Sequence, residues 1–165
     1  MDLIQQYEIP YLHPLLVHFP LVLLLLGAAA ATLYAALGRG VWRRTALVLF
    51  LLGTAGAWAA ERTGHALAQA VEGDPIVEQV VERHEAAAEW TVLVSAFAAF
   101  AFTGLSLVAV VRRPKPVADG EEPPPRPKRE PLWGRFLALV PAVAAAVLVA
   151  WTAHLGGIMV WGIPR

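Results

Sequence analysis

The sequence predicts an all-α fold: an integral membrane four-helix bundle, up-and-down, with helices two and three extended into a periplasmic α-hairpin. Three observations predict it. Hydrophobic residues make up 58% of the 165 residues, against about 45–50% in soluble domains, and the mean hydropathy is +0.57. Four apolar runs, roughly 11–37, 41–60, 86–111 and 132–160, each reach the length of about 20 residues needed to span hydrocarbon. Basic residues are confined almost entirely to two of the connections between those runs.

The first run contains no positive charge before its apolar core; the first basic residue is Arg39. A cleaved leader needs that charge, so the run is read as a retained helix. Backbone polar groups in lipid must be satisfied within the segment, which makes each run a helix. Arg39, Arg43 and Arg44 follow the first run, and Arg112, Arg113, Lys115, Arg126, Lys128, Arg129 and Arg135 follow the third. The connection between the second and third runs has only Arg62 and Arg83 among many carboxylates. Cytoplasmic loops are the basic ones. The expected location is therefore the bacterial inner (plasma) membrane, multi-pass, with both termini periplasmic.

The second helix is expected to continue past the lipid to about residue 72. Glu72-Gly73-Asp74-Pro75 then supplies a glycine stop, an aspartate N-cap and a proline for the first turn of helix three. The expected helices are about 11–37, 41–72, 75–111 and 132–160, in one domain spanning 1–165. The proline-rich, mixed-charge segment 112–131 is expected to be a cytoplasmic linker. Gly53, Gly56 and the alanine runs favour close helix contact. Trp58, Trp90, Trp151 and Trp161 fall near the outer interface and Trp42 and Trp133 near the inner one, as an aromatic belt.

Composition removes several kinds of chemistry. There is no cysteine, so disulfides, thiolate metal sites, iron–sulfur clusters and a covalently attached c-type haem are excluded. The net charge of zero offers nothing to nucleic acid. No nucleophile motif points to a hydrolase, and no pair of broken helices points to a transporter.

The five histidines carry the functional signal. At 1.5 Å per residue from each helix's cytoplasmic end, His18 stands about 28 Å up, His154 about 27 Å and Glu61 about 28 Å. His65, His13 and His84 come to about 34, 36 and 40 Å. All five therefore belong to the outer third of the bundle. His65 and His84 lie nine residues before and ten after Asp74, which makes them level across the hairpin. Glu61 and His65 are four apart, as are Glu85 and Glu89, so each pair shares a helix face. Pro20 deprives the Leu16 carbonyl of its usual donor and predicts a kink beside His18. His13 is about 140° round an ideal helix from His18, which predicts separate sites.

The stretch His13-Pro14-Leu15-Leu16-Val17-His18-Phe19-Pro20, with Glu61, Arg83-His84-Glu85 and His154-Leu155-Gly156-Gly157, resembles the bacterial membrane proteins grouped as domain-of-unknown-function family 2231. The resemblance covers nearly the whole chain. It implies four helices and respiratory surroundings, with Rieske or c-type cytochrome partners, and supplies no established activity. Where the family often ends in Val-Tyr-x-His-Gly, this chain has Ile158-Met159-Val160-Trp161-Gly162.

Three functional readings stay open. One is a haem b electron-transfer protein exchanging electrons with quinone or a periplasmic partner, with His18 and His154 as axial ligands and His84 as the replacement for either. Haem b needs only imidazoles and an apolar slot, and bundles build such sites from facing helices. The second is a non-haem zinc, copper or iron site made of His65, His84, Glu61 and Glu85, a nitrogen and oxygen donor set suited to those ions. The third is a non-catalytic structural or assembly subunit of a respiratory membrane complex, with no cofactor.

Overall fold

The computed structural model describes residues 12–70, 75–112 and 131–162. These fold into helices α1 (His13–Leu16), α2 (His18–Leu37), α3 (Gly40–Ala70), α4 (Pro75–Val111) and α5 (Leu132–Trp161). Helices α1 and α2 form one rod interrupted at Val17, where the Val17 amide donates to His13 O at 3.1 Å. The next ladder bond, Leu21 N–H to Val17 O, is stretched to 3.4 Å. Pro20 cannot donate to Leu16, and the interruption falls in the turn where the sequence predicts a kink.

The elements follow an up-and-down circuit. α2 packs on α3, α3 on α4 and α4 on α5, and α5 closes the ring against α2. Helix four of the bundle is thus beside helix one, while α2 and α4 face each other across the diagonal. The turn from α2 to α3 is tight because Gly38 adopts φ +62°, with its amide on Tyr34 O at 2.8 Å. That left-handed residue ends α2 without the penalty a side chain would bring.

Among the described residues, three helices, within His13–Leu37, Glu78–Val111 and Leu132–Trp161, are long and apolar enough to cross a membrane. The sequence reading had four spans. α3 is long enough but falls short in composition, since Arg43 and Arg44 flank its apolar stretch on one side and Glu61 and Arg62 on the other. Its apolar middle lies in the bundle alongside α2 and α4. The expected cap at Asp74 and the linker residues 113–130 lie outside the described residues; α4 does begin at Pro75.

The bundle's core is concentrated in the half nearest Gly38, the inner half, and the end near Ala70 and Pro75 is the outer end. Tyr34, Phe50, Phe102 and Leu24 are fully buried among Ala30, Ala31, Ala46, Ala98, Ala142 and Ala145. Phe50 and Phe102 stack at 5.9 Å and 8°, and Tyr34 meets Phe102 edge-on at 6.1 Å. The outside is the reverse of a soluble protein. Phe97, Phe100, Leu93 and Val140 are all exposed, the expected arrangement where lipid rather than water surrounds the helices.

Small residues let α2 lie close to α3. A methyl at Gly53 would stand 2.7 Å from Leu24 Cδ2, and one at Gly56 would touch Pro20 at 3.3 Å. Further out, a methyl at Gly64 would meet the His13 ring at 3.0 Å, and one at Gly156 the His84 ring at 3.4 Å. The same close approach that packs aliphatic groups in the inner half therefore seats imidazoles at the outer end.

Candidate functional site

The helices part at the outer end around a cavity of about 770 Å³, within the 300–1,000 Å³ typical of ligand sites. Its wall is mainly apolar, from Val17, Leu21, Ala57, Val81 and Val149. Into this wall are set His13, His18, Glu61, His65, His84 and Glu85. Every helix of the bundle contributes to it.

Each of these four imidazoles is anchored through Nδ1. His13 Nδ1 donates to Ala60 O at 2.8 Å, with Thr63 Oγ1 also near at 3.3 Å. His18 Nδ1 donates to Pro14 O at 2.8 Å, and His84 Nδ1 to Thr152 O at 3.0 Å. A carbonyl can only accept, so in all three the proton sits on Nδ1 and the neutral ring offers its Nε2 lone pair. His65 Nδ1 is held at 2.9 Å by Glu85 Oε1, which places a carboxylate in the same orienting role. His65 Nε2 looks towards Glu61 Oε1 at 3.9 Å. Fixing one ring nitrogen so that the other can bind is how ligating histidines are usually prepared.

His13 and His84 come together across the bundle's diagonal, with ring centroids 6.2 Å apart and planes at 86°. The supports behind them come from different helices. His13 rests on Ala60 and Thr63 of α3, while His84 rests on Thr152 of α5. Thr91 Oγ1 and Thr152 Oγ1 are 3.1 Å apart just below, tying α4 to α5.

The structure redistributes the residues singled out in the sequence. Of His18 and His154, expected at similar depth, only His18 lines the cavity. His154 is exposed and lies against Trp151, with centroids 5.6 Å apart. α5 turns Thr152, Ala153, Gly156 and Gly157 to the cavity, and His154 is about 200° round the helix from Thr152. His13 was expected to be separate from His18, yet both line the same cavity, because it is wide and opens around the interrupted N-terminal turn. Across the hairpin, His65 pairs with Glu85 while His84 turns to α5. Among the described residues, the donor atoms that lie within 4.8 Å of one another are those of Glu61, His65 and Glu89. Of the expected metal set it keeps Glu61 and His65, leaves out His84 and Glu85, and adds Glu89. The i, i+4 spacing of Glu85 and Glu89 was the signal that could have found it.

An apolar-surfaced helical bundle, with histidines and carboxylates lining a cavity at one end and arginines at the other, defines a polytopic membrane protein. The chain belongs to the family described as a predicted membrane protein, DUF2231, whose model matches residues 9–163. No curated protein and no solved structure matches it.

Proposed function

We propose that this protein binds haem b in the outer cavity and passes electrons at the periplasmic face, to or from quinone in the bilayer or a periplasmic redox partner. The carrying observation is the meeting of His13 and His84 across the diagonal, each with its Nδ1–H on a main-chain carbonyl and its Nε2 free. With metal–nitrogen bonds of about 2.0 Å, two axial imidazoles stand about 6 Å apart, centroid to centroid. The separation of the two rings here, 6.2 Å, matches that demand. The apolar wall suits a porphyrin, and Gly64 and Gly156 keep the imidazoles free of side chains behind them. His84 keeps its expected role as the replacement for one axial ligand, and His13 takes the place of the other. The basic connections support an outward-facing cavity.

The test is the absorption spectrum of protein purified in detergent after expression with ample haem precursor. A Soret band that sharpens on reduction is expected. His13→Ala and His84→Ala should each lose most of the haem, and His154→Ala should retain it. A colourless wild-type protein, or full haem in both the His13 and His84 variants, would overturn the assignment.

A further inference from the structure

On the α3 and α4 side of the cavity lies a second constellation that the haem reading does not use. Glu61 and His65 are one turn apart on α3, and Glu85 and Glu89 one turn apart on α4. The donor atoms of Glu61, His65 and Glu89 all lie within 4.8 Å of one another. Ligands bound at about 2.0–2.2 Å to one ion are at most about 4.4 Å apart, so small side-chain rotations close the set. Glu85 holds His65 Nδ1 at 2.9 Å and so directs Nε2 to the side where Glu61 stands at 3.9 Å.

We infer that Glu61, His65 and Glu89 form a binding site for a divalent transition-metal ion, with Glu85 as the carboxylate that orients His65. Four-helix bundles build metal sites in this way, from Glu and His one turn apart on facing helices. A carboxylate on the far nitrogen of a ligating imidazole fixes the ring and raises its basicity.

Charge points the same way. Three carboxylates crowd one imidazole, and among the described residues neither Lys nor Arg pairs with them; the neighbouring Arg62 lies over the Trp58 ring at 5.5 Å. A dication relieves that repulsion and leaves the group with a single negative charge.

The donor chemistry selects the ion. Calcium and magnesium prefer all-oxygen shells, and copper(I) prefers sulfur. One imidazole with two carboxylates suits zinc and its first-row neighbours. Three protein ligands leave a fourth position for water or a substrate atom, the pattern of a reactive rather than a purely structural site. Because Glu61, His65 and Glu85 also line the cavity, that position is within reach of whatever the cavity holds. The ion site does not require haem.

The experiment is calorimetric titration of zinc into the full chain, in detergent and stripped with a chelator. One zinc per chain is expected. Glu61→Gln, His65→Ala and Glu89→Gln should each weaken binding at least tenfold, and Glu85→Gln by roughly 10–100-fold, as for other orienting partners. His154→Ala, which removes an exposed imidazole outside the cluster, should leave the affinity unchanged. Glu89 is exposed, so Glu89→Gln keeps the fold and its result stands alone. X-ray absorption of the zinc complex should show a single imidazole among oxygen donors. Stoichiometric binding that survives Glu89→Gln and His65→Ala, or the lack of stoichiometric binding by the wild type, would overturn the proposal. Haem loss with intact zinc binding, or the reverse, separates this site's failure from that of the haem reading.

Discussion

The two halves of this bundle are made by the same helices and do opposite things with them. In the inner half Tyr34, Phe50 and Phe102 fill the axis, with alanines bringing the helices in around them. In the outer half the axis is open, and imidazoles and carboxylates stand where aromatic rings stood below. Between lipid-bathed helices there is little hydrophobic drive, so packing contact and hydrogen bonds hold them together. The inner half meets that demand with aromatic stacking and buried methyl groups. The outer half meets it with side chains bonded to neighbouring main chains, His13 to Ala60 and His84 to Thr152. Closing one end firmly is what permits the other to stay open around polar groups.

The comparison can be broken most severely at Phe102. It touches both other core rings, and Phe102→Ala should cost about 3 kcal/mol of stability, the lower end of the range for core aromatics. Unfolding in detergent with increasing denaturant measures it. His84→Ala in the same assay should fall well short of that loss while emptying the cavity of haem. An equal loss in the two variants would mean that the outer end carries as much of the fold as the core.

A smaller effect separates the glycines. Gly53→Ala places a methyl 2.7 Å from Leu24 Cδ2, so the inner packing must shift, at a cost of about 1–3 kcal/mol. Gly104 has nothing within 4 Å of the position a methyl would take, and Gly104→Ala should be neutral or stabilising, because alanine favours helix. A shared melting temperature for the two variants would contradict the close approach of α2 and α3.

The smallest expected change sharpens the boundary between the halves. Thr91 and Thr152 join α4 to α5 through their hydroxyls at 3.1 Å. Thr91→Val should remove about 0.6 kcal/mol, the average for such bonds in a membrane protein. It should leave haem content unchanged, since His84 bonds the Thr152 carbonyl rather than its hydroxyl.

By itself the sequence determined the helices and their order. Long apolar runs and a proline start at Pro75 are local signals; beside the expected helices 11–37, 41–72, 75–111 and 132–160 the structure has His13–Leu16 with His18–Leu37, Gly40–Ala70, Pro75–Val111 and Leu132–Trp161. The connection 71–74 and the linker 113–130 lie outside that comparison. Depth was read from the constant rise per residue of a helix, and His13, His18, His65 and His84 line one cavity. Direction was not legible. Which way a side chain points depends on how each helix is rotated against its neighbours, and that rotation is set by contacts between distant segments, such as Pro20 on Gly56 and His13 on Gly64. His154 had the depth of a cavity residue and faces outward, while His13, set aside by an ideal helical wheel, meets His84 across the diagonal. Glu89 joined the cluster only when α3 and α4 came together. A single strand of sequence orders residues along one helix; only the packing of four decides which of them share a space.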